Sequence, residues 1–247
     1  LFSQSQVDTL YLQADLFNTG QTLEQMVAKL AQLPLLNQPG TVWNYSLSVD
    51  IQARVVEVVS GQPYDRFLAE HIFQPLGMKE TGYHVSAEQA PRLAVSYKPG
   101  ENGLEPQDNS QYLHKPTLTQ GGSGLISSMN DYLRFARMLL NGGELDGVRL
   151  LSPESVAEMA RDQLPPEVAG PSWAPGNRFG LNVAVVEDSD AAGHLPVGTY
   201  WWWGIQGPWM WVDPNNGRIV LGMLQNTDYR HSRVVHGTVS SILFSER

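Results

Sequence analysis

Cysteine is absent from the 247 residues of this chain, which excludes disulfides, cysteine-ligated zinc and a thiol nucleophile. A cysteine-free chain is indifferent to redox conditions, so the compartment stays open on this evidence. Lysine is scarce as well: only Lys29, Lys79, Lys98 and Lys115 occur, and Lys plus Arg number 16 against 25 acidic residues. With a net charge of -9 and no cluster of cations, a nucleic-acid partner is not expected, because phosphate binding rests on grouped Lys and Arg. The acidity reads as a solubility feature. No apolar run approaches the roughly 20 residues that cross a bilayer, and Leu1-Phe2-Ser3-Gln4 shows no charged stretch leading into an apolar one. No membrane span is expected, and a soluble protein of the bacterial cytoplasm or periplasm is. There is no Gly-x-Ser-x-Gly, so the nucleophile elbow of an α/β-hydrolase is missing. The six histidines never take the spacing of a zinc motif, and neither a metal nor a cofactor is expected.

What is present is ample material for a core: 42% apolar residues, with seven Trp, nine Tyr and seven Phe. Thr22-Leu23-Glu24-Gln25 forms a capping box opening a helix whose Leu23, Met26, Val27, Leu30 and Leu33 share one face, up to Pro34. After Pro39-Gly40, a second helix is expected, capped by Ser46 or Ser48 and running through Ile51, Val55, Val56, Val58 and Val59 to Gly61. Its largely apolar composition predicts burial. A third helix spans Pro63 to Phe73, and residues 86–120 dissolve into loops of a kind that often roofs a cleft. Ser128 with Asp131, and Ser152 followed by Pro153, start two more helices, the first with Tyr132, Leu133, Ala136, Leu139 and Leu140 facing inward.

Beyond a proline-rich stretch at 162–177 the pattern changes to short aromatic and β-branched runs: Phe179–Val186, Tyr200–Gly204, Pro208–Asp213 and Arg218–Leu224. These predict strands, the last two joined through Asn215-Asn216-Gly217 with positive φ at Asn-Gly, and a closing helix follows at about 233–244. Helices first and an antiparallel sheet last give an α+β architecture. One domain over 1–247 is expected, mainly helical at about 22–177 and holding the strands and C-terminal helix at about 178–247.

The run Pro39-Gly40-Thr41-Val42-Trp43-Asn44-Tyr45-Ser46-Leu47-Ser48-Val49-Asp50 resembles the second motif of serine hydrolases related to class C β-lactamases, penicillin-binding proteins and β-lactamase-like (family VIII) carboxylesterases. The apolar helix ending at Ser60-Gly61 and then Phe73-Gln74-Pro75-Leu76-Gly77-Met78-Lys79-Glu80-Thr81 follow in the order of that family, as does Gly121-Gly122-Ser123-Gly124-Leu125. Tyr200-Trp201-Trp202-Trp203-Gly204-Ile205, aligned by Trp211-Val212-Asp213-Pro214, resembles the third motif, which is Lys-Thr-Gly in β-lactamases and often Trp-Gly-Gly in the esterases. The resemblance runs from about Leu23 to the C-terminus and implies a β-lactamase/transpeptidase-like fold: an antiparallel sheet flanked by helices, plus a helical subdomain. One element of the family is missing. Its nucleophile lies in Ser-x-x-Lys, and the residues three places before the four lysines are Met26, Leu76, Val95 and Tyr112.

The resemblance implies roles. Tyr45 would transfer protons, a task that requires nearby cations to lower a phenol pKa normally near 10. The Ile205 backbone N–H would form half of an oxyanion hole with the N–H of the nucleophilic serine. Leu47, Trp202, Trp203 and Gly204 would contact substrate. Leu47 stands where β-lactamases carry Asn, and Trp202 where they carry a cation, which favours a short acyl ester over a β-lactam. Taken alone, a tyrosine before a helix is usually a core residue, and three strand tryptophans usually fill a core. Since strand side chains alternate, however, Trp201 and Trp203 point opposite to Trp202, so at least one should line a cleft. The expected function is therefore a carboxylesterase working through a serine acyl-enzyme, with serine and lysine supplied by an N-terminal polypeptide, the chain itself being incomplete N-terminally. A β-lactamase, a D-amino-acid peptidase, an acyltransferase and a non-catalytic binding module that has lost its nucleophile stand as alternatives.

Overall fold

The computed structural model describes residues 5–244, so Leu1-Phe2-Ser3-Gln4 lie outside the described residues. Helix α1 (Gln6–Gln13) opens on a capping box, the Ser5 hydroxyl accepting from the Asp8 N–H and the Asp8 carboxylate accepting from the Ser5 N–H. It has no fully buried residue, and Tyr11 packs partly buried against the helical core beside it. Helix α2 (Leu23–Leu30) carries the expected box between Thr22 and Gln25 and buries Leu23, Met26 and Leu30.

Helix α3 (Ser48–Ser60) corrects two expectations. Its N-cap is Leu47, with no side-chain cap bond of its own; the Ser46 and Ser48 hydroxyls bond each other at 2.5 Å, and the Ser46 Oγ also accepts from the Ser48 N–H at 3.3 Å. The helix also turns its apolar side outward: Ile51, Val55, Val58 and Val59, spaced along one stripe, are 42%, 54%, 65% and 82% exposed, while Asp50 and Ala53 face inward. Helix α4 (Tyr64–Leu68) is capped by Pro63 and continues as one wider π turn, Ala69–Phe73. Within the 86–120 loops lies a hairpin of β1 (Tyr97–Gly100) and β2 (Gly103–Pro106).

Helix α5 (Met129–Leu140) is capped by Ser128, whose hydroxyl accepts from the Asp131 N–H. The Asp131 carboxylate reaches away to accept from the Glu80 N–H at 2.7 Å and the Thr81 hydroxyl at 2.9 Å. Leu133 is exposed rather than inward, and Met138 is buried beside Ala136 and Leu139. A two-stranded ladder, β3 (Glu144–Leu145) with β4 (Val148–Arg149), leads to α6 (Pro153–Met159), capped by Ser152 as expected.

The main sheet is an antiparallel meander, β5 (Asn177–Phe179), β6 (Ala184–Val186), β7 (Tyr200–Trp203), β8 (Trp209–Asp213) and β9 (Arg218–Gly222), in that order. The single strand expected over Phe179–Val186 is two strands folded back at 180–183, where the Gly180 N–H donates to the Val183 carbonyl at 2.8 Å and Asn182 takes φ 61°. In the β8–β9 connection only Gly217 has positive φ, and the Asp213 carboxylate holds the turn by accepting from the Asn216 N–H and side-chain amide. Helix α7 (Tyr229–Phe244) starts one turn earlier than expected.

Alternation along β7 and β8 sorts side chains onto the two faces of the sheet. Tyr200, Met210 and Val212 join Val183, Val185, Ala136 and Leu139 in the core shared with α5. Trp201, Trp209 and Trp211 pack with Ala184 and Val186 on the other face, against Val235, Val239 and Phe244 of α7. A separate helical core holds Leu16, Leu23, Met26, Leu30, Ala53 and Leu118. The architecture is α+β, a sheet with helices on both faces and a helical region beside it. Among the described residues β9 pairs only with β8.

Candidate active site

Tyr45 sits in the non-helical segment just before α3, with 42% of its surface exposed, and its ring lies 5.6 Å from that of Trp202. The sheet provides an open edge at that point. Strand β7 pairs with β6 only through Tyr200 and Trp201, so Trp202 and Trp203 have a strand neighbour on the β8 side alone. Past Trp203 the chain reverses, the Gly204 N–H donating to the Pro208 carbonyl and the Gly207 N–H to the Gly204 carbonyl, both at 2.8 Å. A β-carbon on Gly204 would stand 3.0 Å from Pro208 Cγ, so closure of this turn, as well as access to the edge, asks for glycine. Ile205 falls at the tip of the turn, 63% exposed, and its N–H meets no acceptor among the described residues.

The structure therefore brings Tyr45, Trp202, Trp203 and Gly204 to one edge, with Ile205 following. Leu47 is placed differently: its side chain packs against the helical core around Leu23 and Ala53. Three aromatic residues that sequence reasoning missed complete the edge. Trp173 lies 5.7 Å from Trp202 and 6.3 Å from Trp203, Phe179 lies 5.4 Å from Trp202, and Trp43 bridges Trp173 at 6.0 Å and Phe179 at 4.9 Å. Trp173 belongs to an irregular stretch without periodicity; the proline spacing there gave no signal. Asn177 holds that stretch in place, accepting from the Trp201 indole N–H at 2.7 Å and donating to the Pro175 carbonyl at 3.0 Å.

Behind Tyr45, Asp50 ties α3 to the glycine segment. Its carboxyl accepts from the Gly121 N–H at 3.0 Å and the Gly122 N–H at 3.3 Å, with 3% of the residue exposed. Burial raises the Asp50 pKa above the usual carboxyl value, against the opposing pull of those amide donors. The Tyr45 phenol is likewise pushed above its ordinary value, first by burial and then by the negative charge of Asp50. At neutral pH it is a neutral hydroxyl, able to donate or accept a hydrogen bond and, with a cation brought beside it, to exchange a proton.

Comparison with known proteins agrees with the fold. Esterase EstB of Burkholderia gladioli is 35% identical over 230 residues, covering 84% of this chain and 55% of its own. Protein Rv1367c of Mycobacterium tuberculosis is 37% identical over 219 residues, covering 84% of this chain and 54% of its own. This chain thus spans little more than half the length of these curated relatives. Among solved structures, EstCE1, described as a hydrolase with promiscuous acyltransferase activity, superposes with a TM-score of 0.77 at 25% identity, covering 89% of this chain and 61% of that one. The simvastatin synthase LovD of Aspergillus terreus shares the fold at a TM-score of 0.75 and 21% identity, covering 98% of this chain and 66% of that one. A family model described as Beta-lactamase matches residues 3–240, nearly the entire chain, and the chain belongs to that family.

Proposed function

We propose that this chain is the larger part of a serine hydrolase, a carboxylesterase that cleaves short-chain acyl esters through a serine acyl-enzyme. In this reading residues 1–247 form one catalytic domain fragment, and an N-terminal polypeptide contributes the serine and lysine of Ser-x-x-Lys. The observation that carries it is the 5.6 Å approach of Tyr45 to Trp202, which brings a neutral phenol to the open edge of β7 that continues into Gly204 and Ile205. The incoming lysine supplies the cation that Tyr45 lacks, offsetting burial and the Asp50 charge. Tyr45 then relays the serine proton to the leaving alcohol, and the Ile205 N–H, which has no described acceptor, donates to the oxyanion with the serine N–H. Trp202, Trp203 and Gly204 border the acyl group.

The surface of the chain supports the N-terminal partner. The outward stripe on α3 and the exposed Val234 and Ile242 of α7 are apolar faces of the kind that solvent does not stabilise, and β9 has a free edge. Relatives that match this chain carry enough additional length to cover such faces. The esterase reading leans on EstB and EstCE1 and on the aromatic residues where a cation would recognise a carboxylate. Hydrolysis of a nitrophenyl acyl ester against a chromogenic cephalosporin tests it: the ester should be the better substrate, and a clear preference for the lactam would replace the esterase with a β-lactamase.

A further inference from the structure

We propose that the half-open aromatic surface built from Trp43, Tyr45, Trp173, Phe179 and Trp202 binds a flat, uncharged aromatic group of an ester. The proposal rests on the esterase reading only for what the bound group is attached to. The fold treats its tryptophans in two ways. Trp201, Trp209 and Trp211 are buried, with 9%, 5% and 3% of their surface exposed, whereas Trp43, Trp173 and Trp202 remain partly open to solvent beside a Tyr45 that is 42% exposed. Leaving that much aromatic surface wet is unfavourable unless something covers it.

The five rings are linked at centroid distances of 4.9–6.0 Å and tilted by 41–78°. Because Trp43, Trp173 and Trp202 stay partly exposed, a planar group can lie against their open surface by offset or edge-to-face contact. The indole N–H groups of Trp43, Trp173 and Trp202 donate to no acceptor among the described residues, unlike that of Trp201, and are available to ester oxygens. A carboxylate fits poorly here: among the described residues the negative charge of Asp50 acts on Tyr45 and would repel it. An aliphatic ring of equal size would bury similar area without ring-to-ring contact.

Equilibrium binding to the full chain, read by quenching of tryptophan fluorescence, tests this with methyl naphthoate, its saturated counterpart methyl decahydronaphthoate and the naphthoate anion. Methyl naphthoate should bind about tenfold more tightly than the other two. Trp202→Leu and Trp173→Leu, which keep bulk but remove the ring system, should each weaken it about tenfold, in line with the cost of losing one stacking partner, and Trp202→Phe should retain most of the affinity. Equal binding of the decahydronaphthoate ester, or unchanged binding by both leucine variants, would overturn the proposal. Because no turnover is read, these outcomes are independent of whether Tyr45 acts in catalysis.

Discussion

Replacing Gly121 by alanine probes the joint that seats Tyr45, since the glycine segment and the first turn of α3 are held together there. The new methyl would lie 2.3 Å from the Val49 carbonyl oxygen, 2.8 Å from its carbon and 2.9 Å from Ala53 Cβ. Two of these are backbone atoms of a helix, so the loop must withdraw by about 1 Å to reach ordinary contact. That movement takes the Gly121 and Gly122 donors, now 3.0 Å and 3.3 Å from Asp50 Oδ1, to the limit of bonding range or past it. Overpacking costs about 1–3 kcal/mol. Two lost hydrogen bonds add about 1–3 kcal/mol. Gly121 has no positive φ, so alanine also restricts the unfolded chain, which returns about 0.4–1 kcal/mol. The net destabilisation is about 3 kcal/mol, a fall in Tm of about 6–12 °C for a chain of this size. Urea unfolding followed by far-UV circular dichroism measures it. A variant within about 0.5 kcal/mol of wild type would show that the loop is not clamped against α3 and refute the reasoning.

Asp50→Asn should change stability in a pH-dependent way. The folded pKa of Asp50 lies above its ordinary 3.8, so its stabilising contribution is present below 3.8 and is lost as pH rises through the folded value. The asparagine variant, which keeps an acceptor for the glycine N–H groups, should therefore gain relative to wild type as pH is raised from 3.8; thermal unfolding across that range checks the sign, and a relative loss would contradict it. On α3, the double substitution Val55→Glu, Val59→Glu falls on positions 54% and 82% exposed. It should leave unfolding within about 0.5 kcal/mol of wild type while weakening association with the polypeptide that carries Ser-x-x-Lys, as measured by co-purification. A large stability loss would mean that the stripe is internal to this chain.

The parts of the fold written in local chemistry were legible. Thr22 with Gln25, Ser128 and Ser152 cap their helices as hydroxyl spacing predicts, and the aromatic and β-branched runs form the sheet. The misses have one physical origin each. The apolar stripe of α3 faces outward although its composition predicts burial, because periodicity identifies which residues share a face and says nothing of what that face meets. The run from Phe179 to Val186 hides a hairpin because Asn182 supplies the positive φ of a turn inside an otherwise strand-like composition. The first helix has a legible cap but buries none of its residues fully. In the candidate site, motif order singles out Tyr45 and the Trp202–Gly204 segment, whereas Trp43, Trp173 and Phe179 reach them from elements that only tertiary packing brings close.

The rate of acylation by a nitrophenyl ester, measured in a single turnover on the protein joined with its Ser-x-x-Lys polypeptide, tests the central claim when Tyr45 is replaced by phenylalanine. The ring packing against Trp202 is retained and only the hydroxyl is lost. The account predicts a fall of about 100- to 10,000-fold with unchanged unfolding, the range for removing a proton-transfer group. Acylation within about twofold of wild type would remove Tyr45 from the chemistry and with it the reading of this edge as an active site.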